Sequence, residues 1–546
     1  MLASAFEILG PIMVGPSSSH TAGALRLARV ARSIAPAPIT SVTFTLYNSF
    51  AQTYEGHGTN KALVAGILGM DTQDVRIKHA LTLAQEAGLG VTFEVSRQGA
   101  GLHPNTVDIC MALADGKTIT VRGESLGGAR VRLVAINHTP VSISGDVPTL
   151  FIAHADACGV LAALTTLVSD AGINIATLST YRDAPGGRAF TCITTDGATP
   201  PQVLAALKAL PSVEFATDVI IPGTTPAPTA HTASDAPHAL PKKIHAFEAA
   251  TTMHGIERLC EKEGLTLAHY ARERELLLGS PGATLDDLDA RMDAVQEAMM
   301  HAAHATLTHP KRSLGGLLDG QAASVYATLN TATMAPMGDV MTTAAAYAMS
   351  TLEESASMGV IVAAPTAGSA GVVPGVLLAL KERLGSNQQA LHDALWTAAC
   401  IGAVLSANAT VSGAEGGCQA EVGVAAAMAA AAATTYFTKD NALASNAAAL
   451  ALSNLLGLVC DPAGGLVEYP CQNRNVIGVA SALTACQLSL AGVKSVVPLD
   501  EVGATMLAVG HALPEALRET AQGGLATCPS AQKAVKNACS RCHGCA

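Results

Sequence analysis

The sequence predicts a multidomain protein: an α+β N-terminal domain, a ferredoxin-like βαββαβ domain and a large all-α C-terminal catalytic domain. Three observations predict it. The chain has 546 residues, more than one hydrophobic core usually serves. It is 49% hydrophobic but only 3% aromatic, so its cores must be packed from Ala, Leu and Val, which favours closely approaching helices. The apolar period also changes along the chain. In residues 1–147, SVTFTLYNSF alternates like a strand, whereas TAGALRLARVARSI repeats at helical spacing and groups Arg26, Arg29 and Arg32 on another face. Residues 148–222 run TLFIAHAD, GVLAALTTLVSDAG, INIATLSTYRD, a turn at Gly186 and Gly187, RAFTCITTDG, PQVLAALKAL and VEFATDVII, which is a βαββαβ order. Residues 223–241 are rich in Pro, Thr and Ala without apolar periodicity and read as a semi-flexible linker. Residues 242–526 read as helical, with an amphipathic segment after Thr284 and Asp286 and Ala-rich interior helices such as AEVGVAAAMAAAAATTYFT. Residues 527–546 form a Cys-rich tail.

Charge and composition exclude several classes. A formal charge of -11 with 32 Lys and Arg spread along the chain argues against a nucleic-acid partner, since phosphate neutralisation needs a basic face. The N-terminus lacks the basic region of a secretory signal, and thirteen cysteines, an odd number, suit a reducing compartment better than a disulfide framework; a cytoplasmic enzyme is expected. The uncharged run Gly359–Leu380 approaches membrane-spanning length, but its Ala, Gly and Pro content points to a buried helix and no membrane partner.

Cys418, Cys460 and Cys471 sit in GAEGGCQAEVG, LVCDPAGG and EYPCQNRN. Three thiolates would hold an iron-sulfur cluster that leaves one iron open to a substrate; singly, each reads more readily as a small buried hydrophobe. Their surroundings favour a site, because Glu421, Asp461, Glu468, Arg474 and Asn475 are polar residues that a plain apolar helix would not need. GPSSSHTAG sets Ser17, Ser18, Ser19, His20 and Thr21 at the start of a helix, where free amides and hydroxyls suit a carboxylate; helix capping would explain one of those serines. APTAGSAGVVPG repeats the device with Thr366 and Ser369, or is a tight turn between helices. His57 and Thr59 lie in a glycine-flanked turn that could project an imidazole into a cleft, and His103 with Asn105 lies in HPNT, either a ligand contact or a proline turn. The tail cysteines Cys539, Cys542 and Cys545 imitate a ferredoxin run without completing it.

The stretches ILGPIMVGPSSSHTAGALRLARVAR, YEGHGTNKALVAG and HPNT resemble the beta part of iron-sulfur-dependent L-serine dehydratases, the L-serine ammonia-lyases. APTAGSAGVVPG, GAEGGCQAEVG, LVCDPAGGLVEYPCQNRN, LDEVGATM and LRETAQGGLAT resemble their alpha part, in the family's order and over nearly the whole chain. Residues 148–222 resemble an ACT domain. The resemblance implies a 4Fe-4S cluster on Cys418, Cys460 and Cys471, with Cys545 as a tail ligand that substrate displaces. It also implies His57 as the base for the α-proton of serine, and substrate contacts among Ser17, Ser18, Ser19, His20, Thr21, Thr59, His103, Asn105, Thr366 and Ser369. The products would be pyruvate and ammonia, the ACT domain would take an amino-acid effector, and the chain would form a homodimer. An L-cysteine desulfidase on the same scaffold, or an iron-sulfur and amino-acid sensor without turnover, are the alternatives. A pyridoxal-phosphate enzyme would need a Schiff-base lysine, and only Lys61 sits beside a catalytic-looking motif.

Overall fold

The structure, a computed structural model, describes residues 2–128, 130–145, 147–219, 242–279, 283–331, 336–385 and 388–539. The predicted linker, Cys542 and Cys545 lie outside the described residues.

The first domain starts with the short strand β1 (Ile12–Val14) and continues through β2 (Ile39–Leu46), β3 (Gly90–Val95), β4 (Thr106–Leu113), β5 (Thr118–Gly127), β6 (Arg130–Ile136) and β7 (Thr139–Ile143). The last six form one sheet in the order β3-β2-β4-β5-β6-β7, antiparallel except for the β2–β3 pair, which is reached through helices. On β2, alternate residues Val42, Phe44 and Leu46 are buried, as a sheet covered on one face requires. Helices Ala24–Ser33 and Thr59–Leu68 share the cover. They approach so closely that a Cβ on Gly66 would lie 2.6 Å from that of Ala28, so the glycine fixes their packing distance.

The second module is β8 (Thr149–Ala155), helix Val160–Asp170, β9 (Ile175–Arg182), β10 (Arg188–Thr195), helix Pro201–Lys208 and β11 (Val213–Val219). Its antiparallel sheet runs β11-β8-β10-β9, the ferredoxin-like arrangement expected from the element order. One face, through Leu150, Ile152 and Ile193, packs on the two helices. The other, through Phe151, Phe190 and Cys192, joins the first domain's core, with the Phe151 and Phe190 rings stacked 5.7 Å apart.

The C-terminal half is helical around Val424–Phe437, where every residue from Val424 to Ala433 is 0% exposed. This helix is apolar all round and enclosed by Gln388–Asn408, Asn441–Ser453 and Cys471–Leu490. Alanine suits it twice, having the best helix propensity and a side chain small enough for neighbours to close in. Gln388–Asn408 and Gln419–Phe437 are long and apolar enough to cross a membrane by length and mean hydropathy, yet 72% and 78% of their apolar windows are buried inside the domain. The predicted amphipathic segment is helix Leu285–Thr308, capped by Thr284, with Asp287 rather than Asp286 closing the capping box. The run Gly359–Leu380 divides into strand β12 (Val360–Val362), a turn at Ala367–Ser369 and the start of helix Val372–Leu384.

Two features join the halves. β1 pairs antiparallel with β12, although about 350 residues separate them. Residues Leu2 to Leu9, at the head of the predicted first domain, pack in the helical core instead. There Glu275 accepts from Ser4 Oγ and Ala5 N, both at 2.8 Å, and Arg274 donates to the carbonyls of Leu2 and Ala3 at 2.6 and 3.1 Å. β1 and β12 each lead into a loop of the site described next.

Candidate active site

From β1 the chain enters the turn Ser18–Gly23, which runs straight into helix Ala24–Ser33. Ser17 caps it by accepting from His20 N at 3.1 Å. The His20 ring is fixed at both nitrogens: Nδ1 lies 2.9 Å from Ser19 Oγ and 3.4 Å from Ser17 Oγ, and Nε2 lies 3.0 Å from Ser49 Oγ. Burial pushes the His20 pKa well below its ordinary value, and the neighbouring His57 adds to the shift.

His57 occupies the turn between helices Asn48–Thr53 and Thr59–Leu68. Gly58 has φ +66°, which makes the sharp left-handed step possible. The imidazole is 1% exposed, stands edge-on to His20 with centroids 4.5 Å apart, and has no hydrogen bond of good geometry at either nitrogen. Burial lowers its pKa to about 4, an effect that the Gly465 backbone offsets only in part, so the ring is neutral at pH 7. Thr21 Oγ1 donates to the His57 carbonyl at 2.8 Å.

The loop after β12 meets this wall directly, since Ala367 N donates to Ser18 Oγ at 2.8 Å. Thr366 Oγ1 donates to Glu421 Oε1 at 2.8 Å, and Ser369 Oγ turns back to the Ala364 carbonyl at 3.1 Å. Cys418, Cys460 and Cys471 are 4%, 5% and 8% exposed. The polar residues around them hold their loops. Arg474 bonds the Val459 carbonyl and Asp461 at 2.8 and 2.7 Å, and Asp461 accepts from Leu525 N at 2.7 Å. Asn475 ties the Gly368 and Cys471 carbonyls at 2.8 and 2.9 Å, while Glu468 accepts from Gly315 N and Leu317 N at 2.6 and 2.9 Å. Gln419 spends its amide on the Gly416 and Met506 carbonyls, and Asn473 is exposed.

These elements enclose one cavity of about 430 Å³ between the first domain and the helical half. Ser17, Ser18, Ser19, His57 and Thr366 line it together with all three cysteines. His20, Thr21 and Ser369 stand behind that lining, and so does Asn105, which donates to the Ser125 carbonyl at 3.3 Å while Ser125 Oγ bonds the Ser19 carbonyl at 2.8 Å. Thr59 is buried with its hydroxyl unbonded, and His103 accepts from Asn105 N at 3.2 Å; neither lines the cavity. Cys545 lies outside the described residues, as does the Cys539 side chain. The preceding helix Pro529–Cys539 does dock beside the site: a Cβ on Gly464 would lie 2.8 Å from Val535, and one on Gly316 3.2 Å from Ala538.

The sequence reading did not single out Glu519, which lines the cavity near Glu421: a Cβ on Gly413 would lie 2.7 Å from Glu421 Oε2 and 3.5 Å from Glu519 Oε2. Its local signal is conformational, a φ of +61° at a non-glycine residue, which composition and periodicity do not reveal. Nor was the contribution of Leu2, Ala3 and Ile8 to the lining foreseen.

The helical wall is crowded with acids. Burial first, then Glu421, pushes the Cys418 thiol up to about 12, and Cys460 and Cys471 are also raised, first by burial and then by neighbouring carboxyls and thiols. Glu421 and Glu519 are raised as well, chiefly by burial, and Glu421 adds to the rise at Glu519. Against these five groups stands Arg474, which partly offsets the rise at Cys418 and Cys471. A wall of this kind suits a positively charged metal group, because coordination deprotonates thiols outright. Among the described residues no three His, Cys, Asp or Glu side chains come close enough to share one ion.

Comparison with known families gives three matches: "Serine dehydratase alpha chain" over residues 238–526, "Serine dehydratase beta chain" over 4–100 and "ACT domain" over 149–212. The L-serine dehydratase alpha chain of Peptoniphilus asaccharolyticus is 41% identical over 282 residues, covering 52% of this chain and 96% of that relative. The beta chain from the same organism is 42% identical over 180 residues, covering 33% of this chain and 81% of its own length. The probable L-serine dehydratase alpha chain of Bacillus subtilis is 43% identical over 256 residues, 46% of this chain and 84% of the relative.

Proposed function

The chain belongs to the serine dehydratase family, with its beta part, an ACT domain and its alpha part in one polypeptide, and from that premise we propose that it converts L-serine to pyruvate and ammonia. In this reading Cys418, Cys460 and Cys471 would hold a 4Fe-4S cluster, with Cys545 of the tail as a further ligand, and the cluster would supply Lewis acidity toward the substrate hydroxyl.

The chain's own residues do the rest. The hydroxyls of Ser17, Ser18 and Ser19, at the start of a helix whose first amides have no partner within it, receive the α-carboxylate. His57, neutral and with no hydrogen bond of good geometry at either ring nitrogen, takes the α-proton. Loss of that proton and of the β-hydroxide leaves aminoacrylate, whose imine tautomer hydrolyses to pyruvate and ammonia. Thr21 fixes the backbone of His57, so the base does not drift from its line of attack.

The observation that carries this reading is the meeting of a buried imidazole, with no hydrogen bond of good geometry, and three buried thiols in one cavity across a domain boundary. The ACT domain is proposed as an amino-acid effector module and the protein as a homodimer. A cytoplasmic setting is supported by the ten cysteines whose side chains are described, which stand outside disulfides. The test is anaerobic purification with iron and sulfide counts, followed by pyruvate formation from L-serine and sulfide release from L-cysteine. Full pyruvate production by iron-free protein would overturn the reading, as would an intact cluster with no turnover of either amino acid.

A further inference from the structure

The cavity that brings His57 to the three cysteines is lined by the carboxyl side chains of Glu7, Glu415, Glu421 and Glu519 and, among the described residues, by a single arginine or lysine, Arg130. Arg130 opens β6, where it pairs with Gly127 at the end of β5. Two residues before Gly127, Ser125 fastens this hairpin to the serine loop: its Oγ donates to the Ser19 carbonyl at 2.8 Å, and a Cβ on Gly23 would lie 2.1 Å from the same Oγ. At the usual strand rise Gly127 is within about 7 Å of Ser125, so the residue paired with it stands beside that loop. Gly127 and Gly128 have φ of +90° and +57°, and a Cβ on either would meet nothing within 4 Å, so they serve backbone direction rather than room. Arg130 is exposed, and among the described residues its guanidinium has no ion pair or hydrogen bond. The serine loop itself offers dipoles but no full charge. Ser17 Oγ accepts from His20 N, Ser18 Oγ accepts from Ala367 N, and Ser19 Oγ lies 2.9 Å from His20 Nδ1. Burial keeps both His20 and His57 neutral at pH 7.

We propose that Arg130 is a substrate-binding residue, whose guanidinium takes the α-carboxylate of the amino acid together with Ser17 to Ser19 and so restricts the cavity to ligands that carry that group. This rests on the reading of the cavity as an amino-acid site and deepens it. A carboxylate entering a cavity lined by four acids needs a compensating charge, and hydroxyls already engaged with the protein supply only dipoles. The guanidinium fork meets a carboxylate with two parallel N–H bonds, which fixes orientation as well as affinity. Holding the carboxylate on the first-domain side leaves the β-hydroxyl end of a three-carbon amino acid for the wall that carries the thiols. Arg132, two residues on, makes the contrast: its Nη2 donates to Glu124 Oε2 at 2.8 Å, and it does not line the cavity.

The experiment is equilibrium titration of the anaerobically purified full-length protein with L-alanine, which has the carboxylate and ammonium of serine but no hydroxyl to lose, and with L-alaninamide, which lacks the carboxylate. Saturable L-alanine binding is expected with Kd of about 10 mM or tighter, weakened about tenfold or more by Arg130→Gln. Arg130→Lys, which keeps the charge without the fork, should recover part of the loss. Arg132→Gln removes the same charge outside the lining and should change L-alanine binding little, and L-alaninamide should bind weakly to wild type and variants alike. Any L-alanine held at the ACT domain is common to all these proteins and drops out of the comparison. With L-serine, Arg130→Gln should raise KM by a similar factor and lower kcat by less. No L-alanine binding by wild type, equal affinity in wild type and Arg130→Gln, or equal losses in Arg130→Gln and Arg132→Gln would overturn the proposal. Binding lost in Arg130→Gln from a protein that does not turn over L-serine would instead sink the serine reading and leave the role of Arg130 standing.

Discussion

On the first-domain wall of the cavity, Ser17, Ser19, His20 and Ser49 satisfy one another through hydrogen bonds of 2.9 to 3.4 Å, whereas the His57 ring makes no hydrogen bond of good geometry. On the helical wall, Cys418, Cys460, Cys471, Glu421 and Glu519 are all driven toward their protonated forms, with Arg474 as the cation beside them. The difference teaches how the labour divides. The first wall is finished by folding and can orient and deprotonate a ligand as it stands; the second is an acid-rich cradle whose electrostatics call for positive charge. In the proposed reading, folding alone completes one side, and a bound group would complete the other.

The largest expected effects separate the walls. Cys418→Ser removes a soft ligand without changing shape, so iron and sulfide should fall to a small fraction of wild type and pyruvate formation with them, while circular dichroism is unchanged. His57→Asn should leave the iron count intact and lower kcat by about 10²- to 10⁴-fold, with KM for serine moving far less. If His57→Asn lost iron, or Cys418→Ser kept it, the division between the walls would break.

His57 also predicts a pH dependence of stability. Its native pKa of about 4 lies below the unfolded value near 6.5, so the unfolded chain binds the proton first as pH falls. Stability should therefore be unaffected above about pH 6.5 and decline as pH drops toward 4, by about 2 kcal/mol between pH 7 and pH 5 from this group. Urea unfolding of metal-free protein should show that slope reduced in His57→Asn, with His20 retaining a contribution of the same sign.

How much of this could be read in advance depended on range. The βαββαβ module and the alanine-rich helical core were legible because period and composition are local properties of TLFIAHAD or VAAAMAAAAATTYF. The cysteines and His57 were legible because glycine and polar residues flank them where packing alone asks for neither. Contacts between distant segments were not. Nothing near Leu2 announces that Arg274 will hold its carbonyl, and nothing in VIV at Val360 announces β1 as its partner. The same limit hid which polar residues face the cavity. Ser17 to Ser19 line it, whereas Ser369 Oγ and Asn105 Nδ2 donate to backbone behind it, a distinction set by side-chain direction rather than residue type. Glu519 enters the cavity because the Cys460 carbonyl accepts from its amide at 2.9 Å, a pairing across 59 residues of sequence.

A middle-sized effect sharpens the account of the acid wall. Gly413→Ala would set a methyl 2.7 Å from Glu421 Oε2, and either the carboxyl or the loop before Cys418 must move. Overpacking of this kind costs about 1 to 3 kcal/mol. If the wall tolerates acids only because each has one fixed position, thermal unfolding should fall and cluster incorporation should fall with it. Gly457→Ala, where a Cβ meets nothing within 4 Å, separates the two causes: its φ of +84° is strained for any side chain, yet it adds no pressure on a carboxyl. Stability should drop in both variants, and metal retention only in the first.

The smallest effect falls on the wall that folding completes. Thr21→Val deletes one hydroxyl, with little change of shape, and with it the 2.8 Å bond to the His57 carbonyl. A buried hydrogen bond contributes about 1 kcal/mol, and the abandoned carbonyl adds a comparable penalty. The expected loss of stability is thus modest, and iron content should be unaffected because Thr21 touches no residue of the helical wall's thiol cradle. What should change is the aim of the imidazole: kcat falls by several-fold to about tenfold with KM nearly constant, since misplacing a base by a fraction of an ångström is felt in the reacting geometry. Thr21→Ser, which keeps the hydroxyl and gives up only a methyl, should recover most of the rate. Equal losses in the valine and serine variants would mean that Thr21 matters through packing, and that His57 is positioned by its turn alone.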